Sequence, residues 1–186
     1  MYKIKKGRGK VMEVKKEENS LTYSEYLQMN DDIKYEVIDG YIYNMAPSPS
    51  VKHQKIGVKI STEFDNYLRK KACDVISEID VSLEGETDTT KMEEWFRPDI
   101  SIICDQNKMK ENHIAGAPDL IVEILSKSTA KADKMIKFNR YQAAGVKEYW
   151  IVDPAYETVD IYLLKDGYFC SRRDLYKRRD DQRQYI

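Results

Sequence analysis

The chain has 186 residues, 41% of them apolar and 34% charged, with a formal net charge of −1. That length suits one domain with a buried core. The charge balance argues against coating nucleic acid by bulk charge, while leaving room for a local basic patch.

Residues 1–19 begin with Lys3, Lys5, Lys6, Arg8 and Lys10 and nearly lack apolar periodicity, so they are expected to form a basic arm or a short edge strand. Thr22-Tyr23-Ser24-Glu25 has the form of a capping box and opens a short helix to about Met29. Two alternating segments, Ile33–Ile38 and Tyr41–Met45, flank Asp39-Gly40 and predict a β-hairpin, which Pro47-Ser48-Pro49-Ser50 stops. Ser50 can cap a helix to about Lys71, with Ile56, Ile60, Phe64 and Tyr67/Leu68 as its apolar stripe and His53 on the same stripe.

Val75, Ile76, Ile79, Val81 and Leu83 predict a further strand, followed by a polar acidic loop over 84–94. A strand then starts at Arg97-Pro98-Asp99 and runs to about Cys104, and a second loop covers 105–117. Pro118–Leu125 is apolar apart from Asp119 and Glu123, and is too short for an ordinary helix, so it predicts a strand buried on both faces. Ser126 or Ser128 can cap a helix over 130–144, and Gly145 is placed to end it. A strand over 147–153 and a hairpin joining 158–164 to 168–170 through Asp166-Gly167 complete the domain, 20–171, before a basic tail over 172–186. The strand–helix–strand passage through 119–152 requires a parallel pair, whereas the hairpins require antiparallel ones. The expected fold is α/β: a mixed twisted sheet flanked by helices, with an N-terminal hairpin.

Cys73, Cys104 and Cys170 are odd in number and widely spaced. They predict neither a disulfide framework nor a thiolate zinc site, and hence a reducing compartment. No apolar run approaches the ~18 residues of a membrane span, and the start is too charged for a signal peptide. A soluble cytoplasmic protein without a membrane partner is expected.

An ionisable Glu123 inside a buried strand is costly unless a cation or a lysine pairs with it. If the two strands are neighbours, Asp99 can approach Glu123. Two carboxylates with a carbonyl and waters suit a hard divalent cation such as Mg²⁺, which activates water and neutralises phosphate charge. Lys137, four residues after Asp133 on the following helix, could deliver an ammonium to the same place. The structural alternatives are a strand-start aspartate, an ion-paired core glutamate and a lysine that pairs only with Asp133. Asp119 reads as a strand-entry residue, His53 as a hydrogen-bonded helix residue, and Tyr141, Tyr149 and Trp150 as core. His113 lies in a loop and is unmarked.

Pro98-Asp99 followed by Glu123 on an apolar strand resembles the PD-(D/E)xK nuclease superfamily. More closely, the span from Thr22 to about Tyr168 resembles the Uma2 family of restriction-endonuclease-like proteins, also called DUF820. The matching pieces are Tyr35–Gly40, His53, Arg97-Pro98-Asp99, Ala117–Ser126, Asp133, Lys137, Tyr141 and Gly145–Pro154.

The resemblance implies a restriction-endonuclease-like core and Mg²⁺- or Mn²⁺-dependent hydrolysis of DNA by a metal-activated water. Asp99 and Glu123 would be metal ligands, Glu36 a further acid, and a homodimer the acting form. The superfamily places a lysine two residues after the glutamate, where this chain has Leu125; Lys137 is then the site lysine and Lys127 the fallback. An RNA or branched-DNA substrate stays open. The alternative from another class is a catalytically silent nuclease-fold domain that binds nucleic acid or a partner protein.

Overall fold

The computed structural model describes residues 21–29, 33–45, 49–126, 130 and 132–172. The basic arm 1–19, Pro47-Ser48, Lys127, Ser128 and all of the tail but Arg172 lie outside the described residues.

In chain order the elements are α1 (Tyr23–Leu27), β1 (Tyr35–Ile38), β2 (Tyr41–Asn44), α2 (Val51–Leu68), β3 (Asp74–Ser77), β4 (Asp80–Ser82), β5 (Ile100–Ile103), β6 (His113–Ala115), β7 (Leu120–Ile124), a π-helical segment (Ala132–Lys137), α3 (Phe138–Ala144), β8 (Glu148–Asp153), β9 (Thr158–Lys165) and β10 (Tyr168–Ser171). Six strands form the main sheet in the order β10-β9-β8-β7-β5-β3. Its parallel pair is β7–β8, as the helical crossover between them requires; the other four pairings are antiparallel. The domain is the mixed α/β fold expected from the pattern.

Local chemistry places the ends of the elements. Thr22 and Glu25 satisfy each other's backbone donors at the start of α1, and Ser50 Oγ accepts the His53 N–H at the start of α2. Asp39 and Gly40 both take positive φ, 52° and 74°, which the two-residue turn between β1 and β2 needs. Gly145 ends α3 at φ 84°, its N–H returning to Gln142 and Tyr141 carbonyls.

The alternation along β7 divides the core. Leu120, Val122 and Ile124 face α2 and meet Ile56, Ile60, Phe64 and Leu68. Ile121 and Leu125 face the other way, onto Tyr141, Tyr149 and Ile151. A third cluster packs α1 and the β1–β2 hairpin around Trp95, whose Nε1–H donates to the Tyr35 carbonyl at 2.8 Å.

Three sequence expectations change. The strand expected over 75–83 is two strands. Glu78 takes φ 52°, turning the chain so that β3 pairs with β5 while β4 leaves the main sheet to pair with β6. His113, expected in a loop, is buried on β6, edge-on to Tyr23.

The third change concerns the cysteines. Cys73 and Cys104 are joined by a disulfide. The β3–β5 register pairs Asp74 with Ile103, and one step further out sets Cys73 opposite Cys104. That adjacency comes from strand pairing, and a spacing of 31 residues does not reveal it. The cysteine argument for a reducing compartment therefore falls. Among the described residues, no helix is long and apolar enough to cross a membrane.

Asp119 secures the entrance to β7. Burial opposes its ionisation, but Lys147 Nζ at 2.6 Å and the Cys104 N–H at 2.8 Å outweigh it and hold the carboxyl below its ordinary value. A carboxyl depressed in the folded state stabilises the protein above its unfolded pKa, and that contribution disappears as pH falls through the folded one. Asp119→Asn should therefore lower stability at neutral pH, and its difference from the wild type should shrink steadily below pH ~4. Urea unfolding across that pH range checks this; a difference independent of pH contradicts it.

Candidate active site

The site is built where β5, β7, the hairpin and the helix after β7 meet. Because β5 pairs Ile100 with Val122, the next step outward brings Asp99 opposite Glu123. Directly opposed residues of regular strands share a face of the sheet, but Asp99 lies one residue outside β5 and its carboxyl turns to the α2 side, away from that of Glu123. The segment before β5 is fixed at both ends. The Arg97 guanidinium clasps Asp80 at 2.8 and 2.6 Å, and Tyr23 OH donates to Asp80 at 2.9 Å. The Arg97 backbone N–H donates to Glu36 Oε1 at 2.7 Å. Burial raises the Asp80 carboxyl's pKa even against the pull of Arg97, and burial beside Asp80 raises that of the Tyr23 hydroxyl.

Lys137 reaches Glu123 from the helix. Its Nζ lies 2.7 Å from Glu36 Oε1, 3.0 Å from Glu123 Oε1 and 3.5 Å from Asp133 Oδ1. Tyr141 OH donates to the same Glu123 Oε1 at 2.8 Å. Exposures of 5% for Glu36, 3% for Glu123, 1% for Asp133 and 2% for Lys137 leave the cluster almost closed to solvent. It thus sets three carboxylates against one ammonium. Burial pushes the Glu123 carboxyl far above its ordinary value; Lys137 pulls it back, and Asp133, Asp99 and Glu36 push the same way as burial. Burial by itself would neutralise Lys137, but the carboxylates of Glu123, Glu36 and Asp133 hold it firmly as the ammonium. At neutral pH it acts as fixed positive charge and cannot serve as a base.

Asp99 faces another partner. Its Oδ2 accepts the Ile124 N–H at 2.6 Å and lies 3.3 Å from His53 Nε2, contributed by α2. The bonded oxygens of the two carboxylates are therefore directed to different helices: Asp99 Oδ2 to α2, and Glu123 Oε1 to the π-helical segment and α3. Asp99 Oδ1 and Glu123 Oε2 carry no hydrogen bond among the described residues. Among those residues no group of three or more His, Cys, Asp and Glu side chains is gathered as a metal cage. What exists is two carboxylates from neighbouring strands, each with one oxygen free of hydrogen bonds among the described residues: Glu123 in the buried charge cluster and Asp99 on the α2 side. A cation that keeps several of its own waters, as Mg²⁺ does, fits such a pair better than one that demands a full protein cage.

Of the residues named from the sequence, Glu36, Glu123 and Lys137 come together, and Asp99 stands opposite Glu123. His53 joins Asp99, while Asp119 lies apart on Lys147. Tyr141, read as core, also bonds Glu123. Its spacing carried the signal, because Asp133, Lys137 and Tyr141 recur every four residues along one helix face. Lys137→Met leaves the buried carboxylates without their counter-charge, and should cost about 3–5 kcal/mol. Tyr141→Phe removes one hydrogen bond to a charged group, and should cost about 1.5–3 kcal/mol. Chemical denaturation ranks the two, and equal losses would contradict this account of the cluster.

Comparison with known proteins gives the family and the fold. Residues 23–183 match the Uma2 family, described as "Putative restriction endonuclease". Two uncharacterized proteins of Synechocystis sp. (strain PCC 6803) are similar. One is 32% identical over 149 residues, covering 78% of this chain and 75% of the relative. The other is 31% identical over 147 residues, covering 76% and 80%. A crystal structure from Anabaena variabilis, described as "a putative nuclease belonging to DUF820", superposes with a TM-score of 0.62 at 23% identity, covering 81% of this chain and 83% of that one. At that identity the likeness speaks for the fold. The extent of the family match and the identity to the first Synechocystis relative make this chain a member of the Uma2 family.

Proposed function

We propose that the protein is a divalent-metal-dependent endonuclease that hydrolyses DNA phosphodiester bonds. One observation supports this reading: the β5–β7 register, continued by one residue, sets the Asp99 and Glu123 backbones side by side, with an ammonium bound to the glutamate. Asp99 and Glu123 would hold Mg²⁺ or Mn²⁺. The bound ion would activate a water and offset charge on the phosphate. Lys137 holds Glu123 and Glu36 in place and keeps positive charge beside them. Tyr141 fixes the orientation of Glu123, and the Ile124 N–H with His53 fixes Asp99. Family membership supports a nucleic-acid substrate, and DNA is the form that the family description suggests. A homodimer would let two sites cut both strands.

The closure of the charge cluster favours a second reading. Glu123 and Lys137 are almost fully buried, which also suits a domain that keeps the fold, binds nucleic acid or a partner protein, and no longer cuts. Calorimetry with Mn²⁺ separates the two. The nuclease reading expects binding that Asp99→Ala and Glu123→Ala each weaken, together with metal-dependent nicking of plasmid DNA that either variant abolishes. Cleavage retained in both variants would show the assignment to be wrong. Absence of Mn²⁺ binding, with DNA still bound, would favour the silent domain.

A further inference from the structure

A cleft of about 230 Å³ opens on the side of Asp99 away from Lys137. It lies between α2 and the edge strand β3, and its lining includes Gln54, Gly57, Ser61, Ser77 and Asp99. Gly57 is the informative residue. Glycine in the interior of an 18-residue helix is less stable than alanine. Packing does not require it here. A Cβ at Gly57 would meet Ile124 Cδ1 at 3.5 Å, an ordinary van der Waals contact, and nothing else within 4 Å. Without a side chain, Gly57 forms part of the wall of the cleft that leads to Asp99.

We propose that this cleft seats the sugar–phosphate backbone of one nucleic-acid strand, and that Gly57 keeps it open. The inference rests on the nuclease reading above and adds where the strand lies and what is recognised. The walls offer neutral donors. Ser61 and Ser77 hydroxyls are 3.1 Å apart, so one donates to the other and the second keeps a proton for a phosphate oxygen. Gln54 uses one amide proton on Glu78 at 3.3 Å and retains the other. Of the two acids in the lining, Glu78 is countered by Lys34 at 3.1 Å and Asp99 is the metal ligand proposed above. Exposed Lys55 stands on the same helical row as Val58 and Thr62 at the rim.

Among the described residues, no Phe, Tyr or Trp lines the cleft, so they provide no stacking platform for bases. Contacts of this kind hold the backbone and carry no sequence information. The volume admits a phosphate and its sugar, and excludes a duplex.

The test compares Gly57→Ala and Gly57→Leu with the wild type. DNA affinity is read by fluorescence anisotropy of a labelled oligonucleotide in Ca²⁺, metal affinity by Mn²⁺ calorimetry, and folding by thermal midpoint. Affinity for DNA should fall as the side chain grows, reaching a loss of about tenfold or more for leucine. The Mn²⁺ affinity should hold, and alanine should raise the midpoint while weakening DNA binding. A purely structural glycine cannot produce that opposite movement. Loss of affinity should be alike for oligonucleotides of different sequence. If Gly57→Leu does not fold, Ser77→Glu, at an exposed position, places a negative charge in the cleft and should weaken DNA binding likewise. Wild-type affinity in Gly57→Leu, or in Ser77→Glu where that variant stands in, overturns the cleft assignment and leaves the nuclease reading intact. Absence of DNA binding by the wild type overturns both.

Discussion

The arrangement depends on one buried ammonium. Lys137 Nζ meets carboxylates from three elements: Glu36 on β1, Glu123 on β7 and Asp133 on its own helical turn. Removing a charge of this size from water is affordable only when opposite charges surround it, and the same holds for each carboxylate. The hairpin, the main sheet and the helix are thereby bound to a single mutual requirement. Displacing any one of them leaves uncompensated charge in a medium that solvates it poorly. The site is not an addition to a finished fold; its electrostatics are part of what docks the hairpin.

The Arg97-Pro98-Asp99 segment completes that linkage. Arg97 faces in two directions, with its guanidinium on Asp80 and its backbone N–H on Glu36. Tyr23 extends the network to α1 through Asp80 and through the Asn112 carbonyl at 3.0 Å. Two residues later Asp99 takes the Ile124 N–H. Within three residues the chain therefore ties α1, β1, β4 and β7 to the entrance of β5. That gives a physical reason for an arginine beside the Pro-Asp pair, separate from any contact with a substrate.

Much of this was legible in the sequence, for reasons that differ by residue. Asp99 and Glu123 stood out because ionisable groups in short apolar strands demand partners. Lys137 followed from its i,i+4 relation to Asp133, and the parallel β7–β8 pair from strand–helix–strand spacing. Tyr141 could be placed on the Lys137 face by its four-residue spacing, but it reads as core, since periodicity reports a shared face and not what a hydroxyl bonds. The break at Glu78 was hidden because a positive φ on glutamate has no sequence signal comparable to glycine's. The Cys73–Cys104 bond was hidden because register, not spacing, brings the two together. The α2–β3 cleft was also out of reach: Gly57 reads as a weak point in a helix until the space beside it is seen.

That Lys137 reaches Glu123 from a helix has a structural consequence. A lysine two residues after Glu123 would be carried by the strand and held by the sheet's own hydrogen bonds. Leu125 occupies that place and is buried against the α3 side of the core. Lys137 instead sits at the end of the π-helical segment, so its position depends on how that segment docks. π-Turns leave backbone carbonyls less regularly paired than an α-helix does, and they recur at functional sites. Here Tyr149 OH, from β8, donates to the Asp133 carbonyl at 3.0 Å and pins the turn to the sheet. Tyr141 pins the next turn to Glu123, and Gly145 lets the chain drop directly into β8. The strand that receives the crossover is therefore also the strand that holds the lysine-bearing turn in place, so the parallel pair and the ammonium's position are two outcomes of one connection.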